Sequence, residues 1–224
     1  DPAMTRLMTA FFLSGFGALL CQIVWQRMLG VFAGSDTISA ALVVGAFLTG
    51  LGLGSIIGAK WADRLSPRKA LLGFALCEAG VAGFALLSKP ILYDGIAMGL
   101  APHVASPAAT FALCFLALVV PTTLMGASLP FLARAIATSL ETVAERIGAL
   151  YGMNTLGAGL GALLGGWVIV GSLGYPGALG LAAGLDLVAA ALALTLLRAT
   201  PATAPPPAAR AAATASAEPF GGLP

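Results

Sequence analysis

Residues 38–61 read ISAALVVGAFLTGLGLGSIIGAKW, and the first charge in the run is Lys60. A helix rising 1.5 Å per residue needs about 20 apolar residues to cross a hydrocarbon core about 30 Å thick. This run is long enough. Working outward from it, five more stretches qualify: about Leu7 to Phe32, Ala70 to Ser88, Pro107 to Leu132, Ile147 to Val170 and Tyr175 to Leu197. The fourth span contains Pro121 and Pro130. The segment Pro90 to Ser106 is apolar, but Pro90, Asp94, Pro102 and His103 interrupt it, so it reads as a surface or re-entrant loop. The fold expected is an all-α membrane protein of six transmembrane helices.

Composition agrees with that class. Of 224 residues, 59% are hydrophobic and 9% are charged, against about 25% charged in a soluble domain. Mean hydropathy is +0.98. A water-soluble enzyme domain is excluded on this ground. A net charge of +2 with no basic block speaks against a nucleic-acid partner. Cys21, Cys77 and Cys114 fall in separate apolar runs and behave as small hydrophobes. No Cys or His spacing suggests a metal site, and no cofactor is expected. Met4 reads as the natural start, and the first apolar run as a retained span.

Basic residues set the orientation. With the N-terminus in the cytoplasm, Arg6, Lys60, Arg64, Arg68, Lys69, Arg134, Arg146, Arg198 and Arg210 are all cytoplasmic. Only Lys89 falls in an outer loop, while Arg27 lies near the outer end of the first span. Both termini are then cytoplasmic. Residues 1–198 form the membrane domain, and the Ala/Pro-rich stretch 199–224 reads as a disordered tail or linker.

The loop after the second span reads Ala59-Lys60-Trp61-Ala62-Asp63-Arg64-Leu65-Ser66-Pro67-Arg68-Lys69. It resembles the cytoplasmic signature G-x-L-a-D-r-x-G-r-k of the major facilitator superfamily. Asp63, Arg64, Arg68 and Lys69 match, while Ala59 and Ser66-Pro67 depart from the two glycine positions. The resemblance implies that Asp63 caps a helix and pairs with basic residues, latching one conformation. The bland alternative is a generic positive-inside loop. A facilitator usually has two six-span halves, and this chain has one. Residues 11–30, 119–135 and 147–174, with Gln22-x-x-Trp25-Gln26-Arg27 and Tyr151-x-x-Asn154-Thr155, further resemble the membrane domain of fused facilitator/spermidine-synthase-like proteins. That resemblance implies a bacterial-type inner membrane and a polyamine-like cargo. It also implies a soluble aminopropyltransferase-like domain or subunit as partner. No turn for a nucleoside cofactor occurs here, so no enzymatic activity is expected of this chain.

Small residues recur every four in two spans: Gly50, Gly54, Gly58 and Gly157, Gly161, Gly165. Such stripes let helices approach closely. In facilitators, spans two and five face the opposite half, so these glycines are expected to form a homodimer interface. Packing within the chain is the alternative.

Polar groups within a span are expensive, about 2.5–3.5 kcal/mol for a central charge on insertion scales. Glu78 and Asp186 lie midway along the third and sixth spans. Gln22 and Gln26 share a face of the first span beside Trp25, and Asn154 lies in the fifth near Tyr151. These seven are the expected substrate-binding residues: carboxylates and aromatic faces for a cation, amides for hydrogen bonds. Glu78 is the expected route of proton coupling, and a structural hydrogen bond is the bland alternative for either carboxyl. Two functions follow. One is a half-size transporter that dimerises into a 12-span unit and moves a small cationic amine by alternating access. The other is a non-transporting membrane anchor for a soluble enzyme. The low charge also fits a permease for a neutral solute.

Overall fold

The computed structural model describes residues 2–33, 36–100, 106–136 and 140–198. Apart from the 63–66 turn, Ser106 and a closing turn at 196–198, the described residues are helical, with no strand among them. In lipid each backbone N–H and C=O needs a partner within its own segment, and a helix supplies it. The helices are α1 (Pro2–Ala33), α2 (Asp36–Ala62), α3 (Pro67–Ser88), α4 (Pro107–Ile136), α5 (Leu140–Leu164) and α6 (Val170–Thr195). The expected tail, 199–224, lies outside the described residues.

Local chemistry explains the clearest boundary. Ser66 accepts a hydrogen bond from the Lys69 N–H at 3.5 Å, and Pro67 sits at the first helical position of α3. The expected loop from Pro90 to Ser106 needs correction over its first part, while residues 101–105 lie outside the described residues. Lys89–Leu100 continues α3 as a π-helix, and only Ser106 of the remaining described residues is non-helical there.

Among the described residues, five helical stretches are long and apolar enough to cross a membrane: Pro2–Gly30, Thr37–Ala62, Pro67–Ile96, Ala108–Ile136 and Ala144–Thr195. The last spans 52 residues, roughly 78 Å if straight. It is not straight. A short π-helical segment, Gly165–Ile169, follows α5, and Gly174 then takes φ 65°, ψ 179°. Few residues other than glycine adopt that conformation. Along α5, Gly157, Gly161 and Gly165 meet Phe12, Phe16 and Leu20, so α5 runs with α1. Along α6, Ala178 to Ala183 pack with the cluster of Leu20 to Leu29, and Ala189 and Ala193 with Leu7 to Phe11. The chain has therefore reversed between them.

The neighbours of the helices follow a rule. α1 packs on α5 and α6; α4 packs on α2 and α3; α3 packs on α6. Exchanging α1–α3 with α4–α6 reproduces this pattern. α2 starts beside the end of α1, and α4 runs parallel to α2, so the two triples are inverted relative to one another.

The glycine stripes lie inside this bundle, which corrects their expected role at a dimer interface. A side chain at Gly50 or Gly54 would enter Thr122 or the Thr123 carbonyl of α4, and one at Gly58 would meet Ala127. A side chain at Gly157 or Gly161 would enter the Phe12 or Phe16 carbonyl of α1, and one at Gly165 would lie 2.9 Å from a Leu20 methyl. Backbones this close leave no room for a partner subunit along the stripes. Polar side chains reach across the α2/α4 seam as well. Thr122 Oγ1 lies 3.2 Å from the Ala46 carbonyl and 2.8 Å from the Leu118 carbonyl of its own helix, one of which takes its proton, and Ser55 Oγ donates to the Gly126 carbonyl at 3.4 Å.

Candidate functional site

Where α1, α3, α4 and α6 meet, the core turns polar. Glu78 on α3 is 2% exposed and Asp186 on α6 is 1% exposed. Ser14 of α1 and Ser128 of α4 each donate a hydroxyl to Glu78 Oε1 at 3.0 Å. Ser128 also lies 3.2 Å from the Leu124 carbonyl; with one proton it serves one acceptor at a time. Asp186 reaches the same stretch of α1. A Cβ added at Gly17 would fall 2.7 Å from Asp186 Oδ1, so only a bare backbone admits the carboxylate. Ser14 and Gly17 are three residues apart and thus neighbours on one helix face, about 5–6 Å between them. Both carboxyls therefore converge on one patch of α1.

Hydrogen bonding across this patch is incomplete. Asp186 Oδ2 is buried and has no hydrogen-bond partner among the described residues. No basic side chain among them pairs with either carboxyl. Arg27 donates instead to the Gly166 carbonyl at 2.7 Å. Arg134 donates through Nε to the Leu65 carbonyl at 2.9 Å, and the exposed Lys89 pairs with Asp94 at 3.1 Å. A buried polar atom without a partner is costly, and two acidic groups without a counter-charge are more so.

The other expected binding residues are spread out. Trp25 is fully buried. It packs edge-on to Phe84 at 5.6 Å and tilted against Phe47 at 6.0 Å, and its Nε1 lacks a partner among the described residues. It is a core residue. Gln22 and Gln26 are half-buried on α1. Helical spacing puts them on the strip of Gly15, over which Asn154 of α5 lies. The Asn154 Nδ2 donates to the Phe11 carbonyl at 2.9 Å. Tyr151 points outward from α5 and is 60% exposed. The seven residues thus divide into a sealed carboxyl pair, a core tryptophan, and an amide strip with an outlying tyrosine.

The 63–66 turn differs from its expected latch. Asp63, Arg64, Arg68 and Lys69 are all exposed, and Asp63 has no ion pair or hydrogen bond through its side chain among the described residues. The α3 cap is Ser66, and the tie across the turn is Arg134. Sequence reasoning missed Arg134, Ser14 and Ser128. The arginine passed as one more cytoplasmic charge, and serines are too frequent to signal. The three cysteines are free and buried, as expected. No group of three metal-ligating His, Cys, Asp or Glu side chains occurs among the described residues.

Comparison with family models, curated proteins and solved structures finds no match.

Proposed function

We propose that this chain is a half-size membrane transporter, resembling one half of a major facilitator, that pairs with a second copy and moves a small cationic amine by alternating access. Residues 144–195 cross twice in this reading, giving six spans with both termini cytoplasmic in a bacterial-type inner membrane. The observation that carries it is the uncompensated carboxyl pair, one carboxyl on the third helix of each inverted triple. Ionisable groups kept within a membrane mark ion and substrate paths, and inverted repeats with a site near the midplane are a transporter arrangement. The half-buried strip of Gln22, Gln26 and Asn154 supplies hydrogen bonds to cargo. The outward side of α5 presents Gly148, Gly152 and Gly159 with nothing against them, and this face, beside the outward side of α2, receives the second copy.

The test is uptake of radiolabelled spermidine and putrescine into proteoliposomes. Saturable uptake above that of protein-free vesicles, lowered at least about tenfold by a Gln22→Ala/Gln26→Ala double substitution, is expected. Folded protein that moves no amine turns the reading to the second one, a membrane anchor for a separate aminopropyltransferase-like enzyme.

A further inference from the structure

Glu78 and Asp186 occupy a place that an organic amine does not reach in this conformation. Both are sealed among four helices; two serine hydroxyls meet Glu78 there, and the buried Cys21 thiol lies near Asp186. Carboxylates and hydroxyls are hard ligands, suited to hard cations rather than to zinc or copper. Asp186 Oδ2 is buried and has no hydrogen-bond partner among the described residues. A cation satisfies it directly.

We propose that Ser14, Glu78, Ser128 and Asp186 form an occluded site for one sodium ion. The ion lies between the Asp186 carboxylate and the Glu78 carboxyl, with the Ser14 and Ser128 hydroxyl oxygens turned towards it. Charge and size favour a monovalent ion. Magnesium dehydrates reluctantly and keeps several waters, and calcium takes six to eight oxygens in a roomier shell. One sodium and one carboxyl proton bring the cluster to neutrality. The glycine at position 17 is part of the site, because a side chain there would push Asp186 aside. The four ligands come from both inverted triples, α1 and α3 from one and α4 and α6 from the other, so the ion ties the triples together. This deepens the transport reading by naming a coupling ion, yet it is tested by binding alone.

The full chain is purified in detergent, and its thermal unfolding is followed in sodium chloride, potassium chloride and N-methylglucamine chloride of equal ionic strength. Saturable stabilisation by sodium alone is expected, on the order of 5–10 °C at about a hundred times Kd, together with stoichiometric binding of radioactive sodium in equilibrium dialysis. Asp186→Asn and Glu78→Gln abolish the sodium-specific shift. Should either variant fail to fold, Ser128→Ala decides, with sodium affinity lower by at least about tenfold. Equal stabilisation by all three salts overturns the inference, as does a sodium shift that survives in the carboxyl variants or an unchanged affinity in Ser128→Ala. Sodium binding by a chain that moves no amine overturns the transport reading alone. Amine uptake without sodium binding overturns this inference alone.

Discussion

Trp25 shows how a residue can look like a ligand and serve as packing. Its indole is fully buried between Phe47 and Phe84, and the N–H meets no partner among the described residues. Trp25→Phe removes that unmet donor along with some volume, so the stability change is expected within about 1 kcal/mol, while Trp25→Ala leaves a cavity and costs about 3–5 kcal/mol. Reversible unfolding in mixed micelles measures both, and equal losses would mean that the N–H is satisfied. Arg134 is the opposite case, a charge that sequence alone makes anonymous. Its bond to the Leu65 carbonyl holds the 63–66 turn. Arg134→Ala is expected to cost about 1.5–3 kcal/mol and to speed hydrogen exchange at residues 63–66. Asp63→Asn, on an exposed side chain, is expected to stay within about 0.5 kcal/mol. A larger loss from Asp63→Asn than from Arg134→Ala would restore the latch.

Helices of this kind are easy to find and hard to orient. Long apolar runs gave away the spans, because nothing but a helix satisfies a backbone in lipid at that length. Glu78 and Asp186 stood out for the same reason, as rare charges in those runs. The side to which each glycine stripe turns was not legible. In a soluble helix the polar face marks the outside, but a lipid-facing surface is as apolar as a buried one. The reversal after α5 was legible as the break between the fifth and sixth spans, but the residue that makes it was not: Gly174 looks like any of the 29 glycines until its φ of 65° is known. Gly174→Ala should cost about 1–3 kcal/mol, read from unfolding curves, whereas Gly180→Ala, where a Cβ meets nothing within 4 Å, should be close to neutral. A neutral Gly174→Ala would mean that the chain turns elsewhere.

At the scale of the whole molecule, two sets of glycines do different jobs. Gly54 and Gly161 are filled by the chain's own neighbours, so Gly54→Leu and Gly161→Leu should unfold it, with overpacking losses of about 3 kcal/mol or more. Gly152 and Gly159 on the outer side of α5 meet nothing. On the proposed pairing, Gly152→Leu should leave the fold intact and convert the proposed dimer into monomers, as judged by light scattering in detergent beside a thermal melt. Dimers that survive Gly152→Leu and Gly159→Leu would move the second copy to another face. The inverted arrangement of the triples makes the carboxyl cluster their shared centre, which places the chemistry where the two triples meet rather than within either.

The pairing of α1 with α5 has a consequence for biosynthesis. Phe12 waits for Gly157, and a ribosome adding about 5–20 residues per second takes roughly 7–30 s to make the chain between them. Once α1 has entered a bilayer, Ser14, Gly15 and Gly17 lack the neighbours that cover them in the finished fold, and Glu78 follows before its Ser128 partner exists. The nascent chain thus passes through a stage in which its most polar intramembrane groups are uncovered. An insertase or chaperone that shelters lone helices would meet this protein at that stage, and mutations that slow elongation between α3 and α5 would lengthen the exposure without touching the finished fold.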